Sequence, residues 1–137
     1  MKRTLIDAGP LIALFDKDDH YYFKALNFIK NYDGLLVTTW PVVTEVLYML
    51  DFNINVQIDF LRWIEKGGLE IYTLLAEDMS RIIDLTQKYS NVPMDFADAT
   101  LIVASEKLDI DKIVTVDSDF YVYRNIRNKY LTNIFIE

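Results

Sequence analysis

This sequence predicts an α/β fold built on a parallel sheet, and three observations predict it. Short apolar runs recur along the chain as Thr4-Leu5-Ile6, Leu35-Leu36-Val37-Thr38, Leu69-Glu70-Ile71-Tyr72, Lys112-Ile113-Val114-Thr115-Val116 and Ile134-Phe135-Ile136. Between the first four, stretches with apolar residues at helical spacing intervene. Gly or Pro stands at several of the junctions, where a regular element has to stop. Such alternation implies a three-layer α/β/α sandwich with a central parallel sheet of about four to five short strands. At 137 residues, with no linker, repeat or low-complexity tract, the chain suits one domain over 1–137.

The elements follow in order. The first strand closes on Asp7, and Gly9-Pro10 stops it and opens a helix over 11–15, since Pro suits a first helical turn. A polar break over 16–19 leads to a helix over 20–31 with Phe23, Leu26, Phe28 and Ile29 on one face. Gly34 ends it before the second strand. Thr39-Trp40-Pro41 starts the next helix, which runs through Val42, Val43, Val46 and Leu47 to Leu50 and carries Glu45 about one turn inside. An amphipathic helix over 55–66 is closed by Gly67-Gly68. After the third strand comes a helix over about 76–89. Pro93 then precedes a helix with Asp95 as N-cap and Asp98 in its first turn. Ala99, Leu101, Ile102, Val103 and Ala104 make that helix apolar nearly all round, so it is expected to be buried on more than one face. The fourth strand, 112–116, ends on Asp117, and 134–136 forms the last.

Composition narrows the function. The net charge is −7, from 21 acids and 14 bases, which argues against a simple nucleic-acid binder. Divalent cations bound to gathered acids would reverse that field locally. Zero cysteines exclude a disulfide scaffold and thiolate chemistry. No apolar run approaches a membrane span, and Met1-Lys2-Arg3 leads straight into a strand pattern without secretory features. A cytoplasmic protein without membrane contact is expected.

In an open α/β sheet the functional crevice lies outside the carboxyl ends of the strands. Asp7 and Asp117 directly follow strands, and Glu45, Asp95 and Asp98 stand near helix starts at the same edge. Each acid alone has an ordinary explanation as a cap or turn residue. Their convergence from four separated stretches favours a shared purpose. Several carboxylates with a single His and no Cys select Mg²⁺ or Mn²⁺ over zinc. Such a centre suits hydrolysis of a phosphodiester. Asp7, Asp98 and Asp117 are the candidate ligands, and Glu45 is a ligand or positions the water. Asp95 and Asp119 stand as additional ligands or as a cap and an orienting residue.

These residues resemble the PIN-domain ribonucleases of the VapC toxin type over the whole chain. The resemblance lies in Leu5-Ile6-Asp7 with Gly9-Pro10-Leu11, in Thr44-Glu45-Val46-Leu47, in Phe96-Ala97-Asp98-Ala99-Thr100-Leu101-Ile102 and in Thr115-Val116-Asp117. Asp119-Phe120-Tyr121-Val122-Tyr123-Arg124 also resembles an Asp-Phe-x-x-Tyr-Arg segment of one bacterial branch. The resemblance implies a metal-dependent endoribonuclease acting on RNA, with Asp7, Glu45, Asp98 and Asp117 as its catalytic acids. It also implies a homodimer checked by a small antitoxin protein.

Other features have plainer explanations. His20 is read as a surface or capping residue, and Tyr21, Tyr22, Phe23, Trp40 and Trp63 mostly as core, with RNA stacking by a member as the weaker alternative; exposed Tyr or Trp also suits a protein interface. Arg124, Arg127 and Lys129 form the best local basic patch. They are candidates for contact with the RNA backbone, against the ordinary reading of a solvated helix face. A phospho-acceptor receiver domain fits poorly, because Asp7 stands alone after strand one, strand three yields Tyr72-Thr73 and no strand-end Lys appears. A non-catalytic PIN-like protein-binding module is the other alternative, and the full acid set argues against it.

Overall fold

The computed structural model describes residues 2–136. Five strands form one sheet: β1 (Arg3–Ile6), β2 (Leu35–Thr39), β3 (Glu70–Tyr72), β4 (Lys112–Val114) and β5 (Thr132–Asn133). Six helices connect them: α1 (Ala8–Phe15), α2 (Tyr22–Asn31), α3 (Trp40–Met49), α4 (Ile54–Glu65), α5 (Met79–Lys88) and α6 (Phe96–Leu108). The spatial order is β3-β2-β1-β4-β5, and every neighbouring pair is parallel. Right-handed crossovers then place α1 to α4 on one face and α5 and α6 on the other. The packing agrees: α1 lies against α2, α3 and α4, whereas α5 lies against α6.

That order has a consequence for function. The chain lays β2 and β3 outward on one side of β1, then crosses to lay β4 on the other. The direction of winding therefore reverses between β1 and β4, and the crevice opens where their carboxyl ends part. In α6 every residue from Ala97 to Ser105 is buried, as its all-round apolar pattern predicts. Small residues Ala97, Ala99 and Ala104 let it lie close to its neighbours, and Thr100 joins it to the end of β2 through a 2.7 Å hydroxyl contact with Thr39. On the opposite face Phe60 is fully buried between α1 and α4, its ring 5.4 Å from that of Phe15.

Several boundaries differ from expectation. Helix α1 begins at Ala8, so Gly9 and Pro10 lie inside its first turn rather than in a strand stop. A Cβ on Gly9 would collide with the side chain of Val116, and this close approach holds the start of α1 against the segment leading to Asp117. The span 76–89 divides into a 3₁₀ turn (Ala76–Asp78) and α5, because Asp78 Oδ2 accepts the N–H of Leu75 and the hydroxyl of Tyr72. Strand β4 stops at Val114, since β1 ends at Ile6 and Asp7 N–H takes the Val114 carbonyl as the last rung. The last strand is Thr132–Asn133, not 134–136: Asn133 Oδ1 accepts the N–H groups of Phe135 and Ile136 and turns the chain. Phe135 is then buried against Tyr21 and Phe28 instead of extending the sheet.

Gly9→Ala is expected to lower stability by about 1–2 kcal/mol, because overpacking against Val116 outweighs the better helix propensity of Ala. Urea denaturation of Gly9→Ala, Val116→Ala and the pair checks this. The cost of the first substitution should shrink in the Val116→Ala background, and equal costs in both backgrounds would rule out the contact.

Candidate metal centre

Three acids meet at the crevice, each delivered by a different element. Asp7 is the residue after β1 and the N-cap of α1, yet its side chain makes no cap bond. Asp98 enters from the first turn of α6. Asp117 precedes a 3₁₀ turn (Ser118–Tyr121) that follows β4. One carboxylate oxygen of each lies within 4.8 Å of those of the other two. Asp7 and Asp98 are only 7% and 8% exposed, so a considerable amount of charge is brought out of water.

Each carboxylate is held by one oxygen. Thr115 Oγ1 donates to Asp7 Oδ2 at 3.0 Å and accepts the Asp117 N–H at 3.0 Å, so one hydroxyl ties two of the acids together. Tyr123 Oη donates to Asp98 Oδ2 at 3.0 Å. The Asp119 N–H donates to Asp117 Oδ1 at 2.9 Å. Among the described residues the second oxygens of Asp98 and Asp117 accept no protein hydrogen bond, and besides Thr115 only the Ala8 N–H acts on Asp7. None of those oxygens is sealed away, since the orphan side-chain oxygen shut off from solvent is Asp78 Oδ1, elsewhere in the fold.

The electrostatics follow from this crowding. Burial is the main reason that Asp7 is raised to about 6, with Glu45 and Asp117 adding to it against the Ala8 N–H and Thr115. Burial also dominates at Asp98, which Asp95 and Asp7 help push up to about 8 against the Tyr123 hydrogen bond. Glu45 is exposed, but partial desolvation, Asp95 and Asp117 raise it as well. The Tyr123 phenol is pushed up by its own burial and by Asp98, which keeps it a proton donor. The charges weighing most on Asp7, Glu45 and Asp98 are all acids, and among the described residues no Lys or Arg pairs with them. Three carboxylates, each offering one oxygen within 4.8 Å of the others and none paired with a Lys or Arg among the described residues, fit a hard divalent ion, which takes oxygen ligands at about 2.0–2.6 Å. An all-oxygen set does not suit zinc.

The other expected residues divide. Glu45 and Asp95 stand beside the cluster, close enough to influence it, but outside the group of three. Asp95 is the N-cap of α6, its Oδ1 accepting the Asp98 N–H at 2.8 Å. Asp119 orients Asp117 through its backbone N–H. His20 is exposed and precedes α2 rather than starting it. Phe23 is 79% exposed and Trp40 49%, so these two aromatics are not core. The three residues of the expected basic patch divide as well. Arg124 turns its guanidinium back on its own loop, donating to the carbonyls of Tyr121, Val122 and Tyr123 and lying 4.8 Å from the Tyr130 ring centre. Arg127 pairs with Asp109 at the C-terminal end of α6 and shares a cleft there with Lys129. From Asp98 to Asp109 that helix rises about 16 Å.

Thr115 and Tyr123 were missing from the sequence-based set. Both lie inside segments singled out above, Thr115-Val116-Asp117 and 119–124. Nothing local marks their hydroxyls as donors to acids far away in the chain.

A family model described as PIN domain matches residues 4–126. Among curated proteins, Ribonuclease VapC26 of Mycobacterium tuberculosis is 24% identical over 115 residues, covering 82% of this chain and 85% of that one. Among solved structures, M. tuberculosis VapC20, described as a sarcin-ricin loop cleaving toxin, superposes with a TM-score of 0.79. That match covers 88% of this chain and 94% of the other at 15% identity, and it shows the likeness of fold.

Asp7 and Asp98 bind a proton more tightly folded than unfolded, so protonation stabilises the native state. In metal-free protein this stabilisation is complete below the unfolded value of 3.8 and is lost as pH rises through about 6 and then about 8. The urea midpoint in chelator should therefore fall from about pH 5 to about pH 8.5, and Asp98→Asn should remove the upper part of the fall. A midpoint that stays level or climbs over this range would contradict the crowded cluster.

Proposed function

Because the chain belongs to the PIN-domain family, we propose that it is a metal-dependent endoribonuclease that hydrolyses RNA phosphodiester bonds. The observation that carries this is the convergence of Asp7, Asp98 and Asp117, one oxygen of each lying within 4.8 Å of those of the other two. These three residues would hold Mg²⁺ or Mn²⁺. When bound, such an ion supplies positive charge to the phosphate oxygens and acidity to a water.

The chain's own residues do the rest. Thr115 ties Asp7 and Asp117 together and Tyr123 holds Asp98, so the three carboxylates would be fixed in place before substrate arrives. Glu45, outside the group of three and with a raised proton affinity, is positioned to orient the attacking water and take its proton. Asp95 caps α6 and adds negative charge beside Glu45 and Asp98, which strengthens the demand for a cation.

The VapC likenesses, one a named ribonuclease and the other described as a toxin, support a role as the toxin of a toxin–antitoxin pair. Its partners would then be a small antitoxin protein and a second copy of the chain, acting in the cytoplasm. No helix among the described residues is long and apolar enough to cross a membrane.

Single-stranded RNA should be cleaved with Mn²⁺ or Mg²⁺ and spared with chelator. Asp98→Asn should reduce cleavage by roughly a hundredfold or more, since a lost ligand removes several kcal/mol of charge stabilisation. The same ions should raise the melting temperature of the parent and not that of Asp98→Asn. Equal cleavage and equal metal dependence in the variant would refute the site.

A further inference from the structure

A phosphodiester held at Asp7, Asp98 and Asp117 brings the adjoining nucleotides onto the rim, and the rim must grip them. Beyond the bound ion, the net charge of the protein opposes them. The net charge is −7, the charged groups that act on Asp7 and Asp98 are acids, Arg124 Nη1 is bonded to its own loop, and Arg127 lies at the far end of α6. Unpaired bases have a second handle, the face of an aromatic ring, which binds every base in much the same way.

Two half-exposed aromatic side chains stand at this rim. Trp40, 49% exposed, opens α3 immediately after Thr39 ends β2, at the carboxyl edge that also carries Asp7. Phe96, 50% exposed, opens α6 between Asp95 and Asp98. Their mutual position follows from a buried contact. Thr39 and Thr100 touch at 2.7 Å through their hydroxyls, and Phe96 is one helical turn before Thr100 on the same stripe of α6. Phe96 therefore stands above the Thr39–Thr100 contact, on the side where Trp40 begins α3. Glu45 lies farther along α3, within electrostatic reach of Asp95, so the helix starts that carry Trp40 and Phe96 lie on the same side of the acids. Trp63, the other tryptophan, is packed against Phe15 and Phe60 instead.

We infer that Trp40 and Phe96 form a stacking platform for the unpaired bases on one side of the scissile phosphate, which makes single-stranded RNA the substrate form. The inference rests on the endoribonuclease reading for what binds, while its test uses binding alone. The platform explains how an acidic protein holds an acidic polymer: the ring faces supply affinity where the surface charge opposes it.

The test measures binding of a short single-stranded RNA with a hydrolysis-resistant phosphorothioate backbone, in Mg²⁺, to the parent, Trp40→Ala, Trp40→Phe and Phe96→Ala. The same backbone stripped of its bases is the control. Stacking predicts that either alanine variant raises Kd roughly fivefold to a hundredfold, that Trp40→Phe restores most of the affinity, and that RNA quenches parent fluorescence far more than that of Trp40→Phe. Removing the bases should weaken the parent, weaken each alanine variant less, and leave the Trp40→Ala/Phe96→Ala double variant almost unaffected, because the two changes then delete the same contacts. Thermal melts of each variant confirm folding. Unchanged Kd and fluorescence in a protein that still cleaves RNA would overturn the platform and leave the nuclease intact. Ring-dependent binding without cleavage in Mg²⁺ or Mn²⁺ would support the platform and overturn the nuclease reading. A dimer that Trp40→Ala dissociates, with fluorescence set by protein concentration rather than RNA, would overturn it in favour of a second copy on this face.

Discussion

Negative charges crowded together with nothing positive beside them are the constraint on which the rest of this structure depends. Left to themselves, Asp7, Asp98 and Asp117 would separate or take up protons, because burial removes the water that would screen them. The fold prevents separation by anchoring each on a rigid element. Asp7 is tied into the sheet through its own N–H, Asp98 is carried on the buried helix α6, and Asp117 is coupled to Asp7 through Thr115. Proton uptake remains as the metal-free relief, and it is visible in the raised proton affinities of Asp7 and Asp98.

The same constraint explains features that otherwise look incidental. Helix α6 has to run through the core, since a surface helix could move and take Asp98 with it. Its small residues and the Thr39–Thr100 contact hold it there. Gly9 has to lack a side chain so that α1 can start directly beside Val116, one residue from Asp117. Acids of similar sequence position are divided by the bonds they make. Asp95 spends an oxygen on the Asp98 N–H and belongs to the helix; Asp98 accepts only from Tyr123 and keeps its other oxygen for the crevice.

Local patterns carried most of the architecture. The apolar runs located the first four strands to within a few residues, and the all-round apolar stretch after Asp98 identified the buried helix. They misplaced the last strand because Ile134-Phe135-Ile136 has the composition of one, while the side chain of Asn133 bends it away. Phe23 and Trp40 were expected inside on composition, and both are exposed, because which face of a helix meets the sheet depends on its crossover. The basic residues 124, 127 and 129 follow Asp117 closely in sequence, yet Arg127 is carried to the opposite end of α6.

By itself the sequence determined the fold class, the carboxyl edge as the place where acids gather, and the acids that populate it. Strand ends and helix starts are local events, and the residues just beyond them must lie at the edge of a parallel sheet. Tertiary structure decided which carboxylates converge, that Thr115 and Tyr123 hold Asp7 and Asp98, and which aromatic side chains stay exposed. Those outcomes depend on register between segments as far apart as Asp7 and Thr115, which lie 108 residues from one another. Local periodicity specifies which face of an element is apolar, and only packing specifies what that face meets.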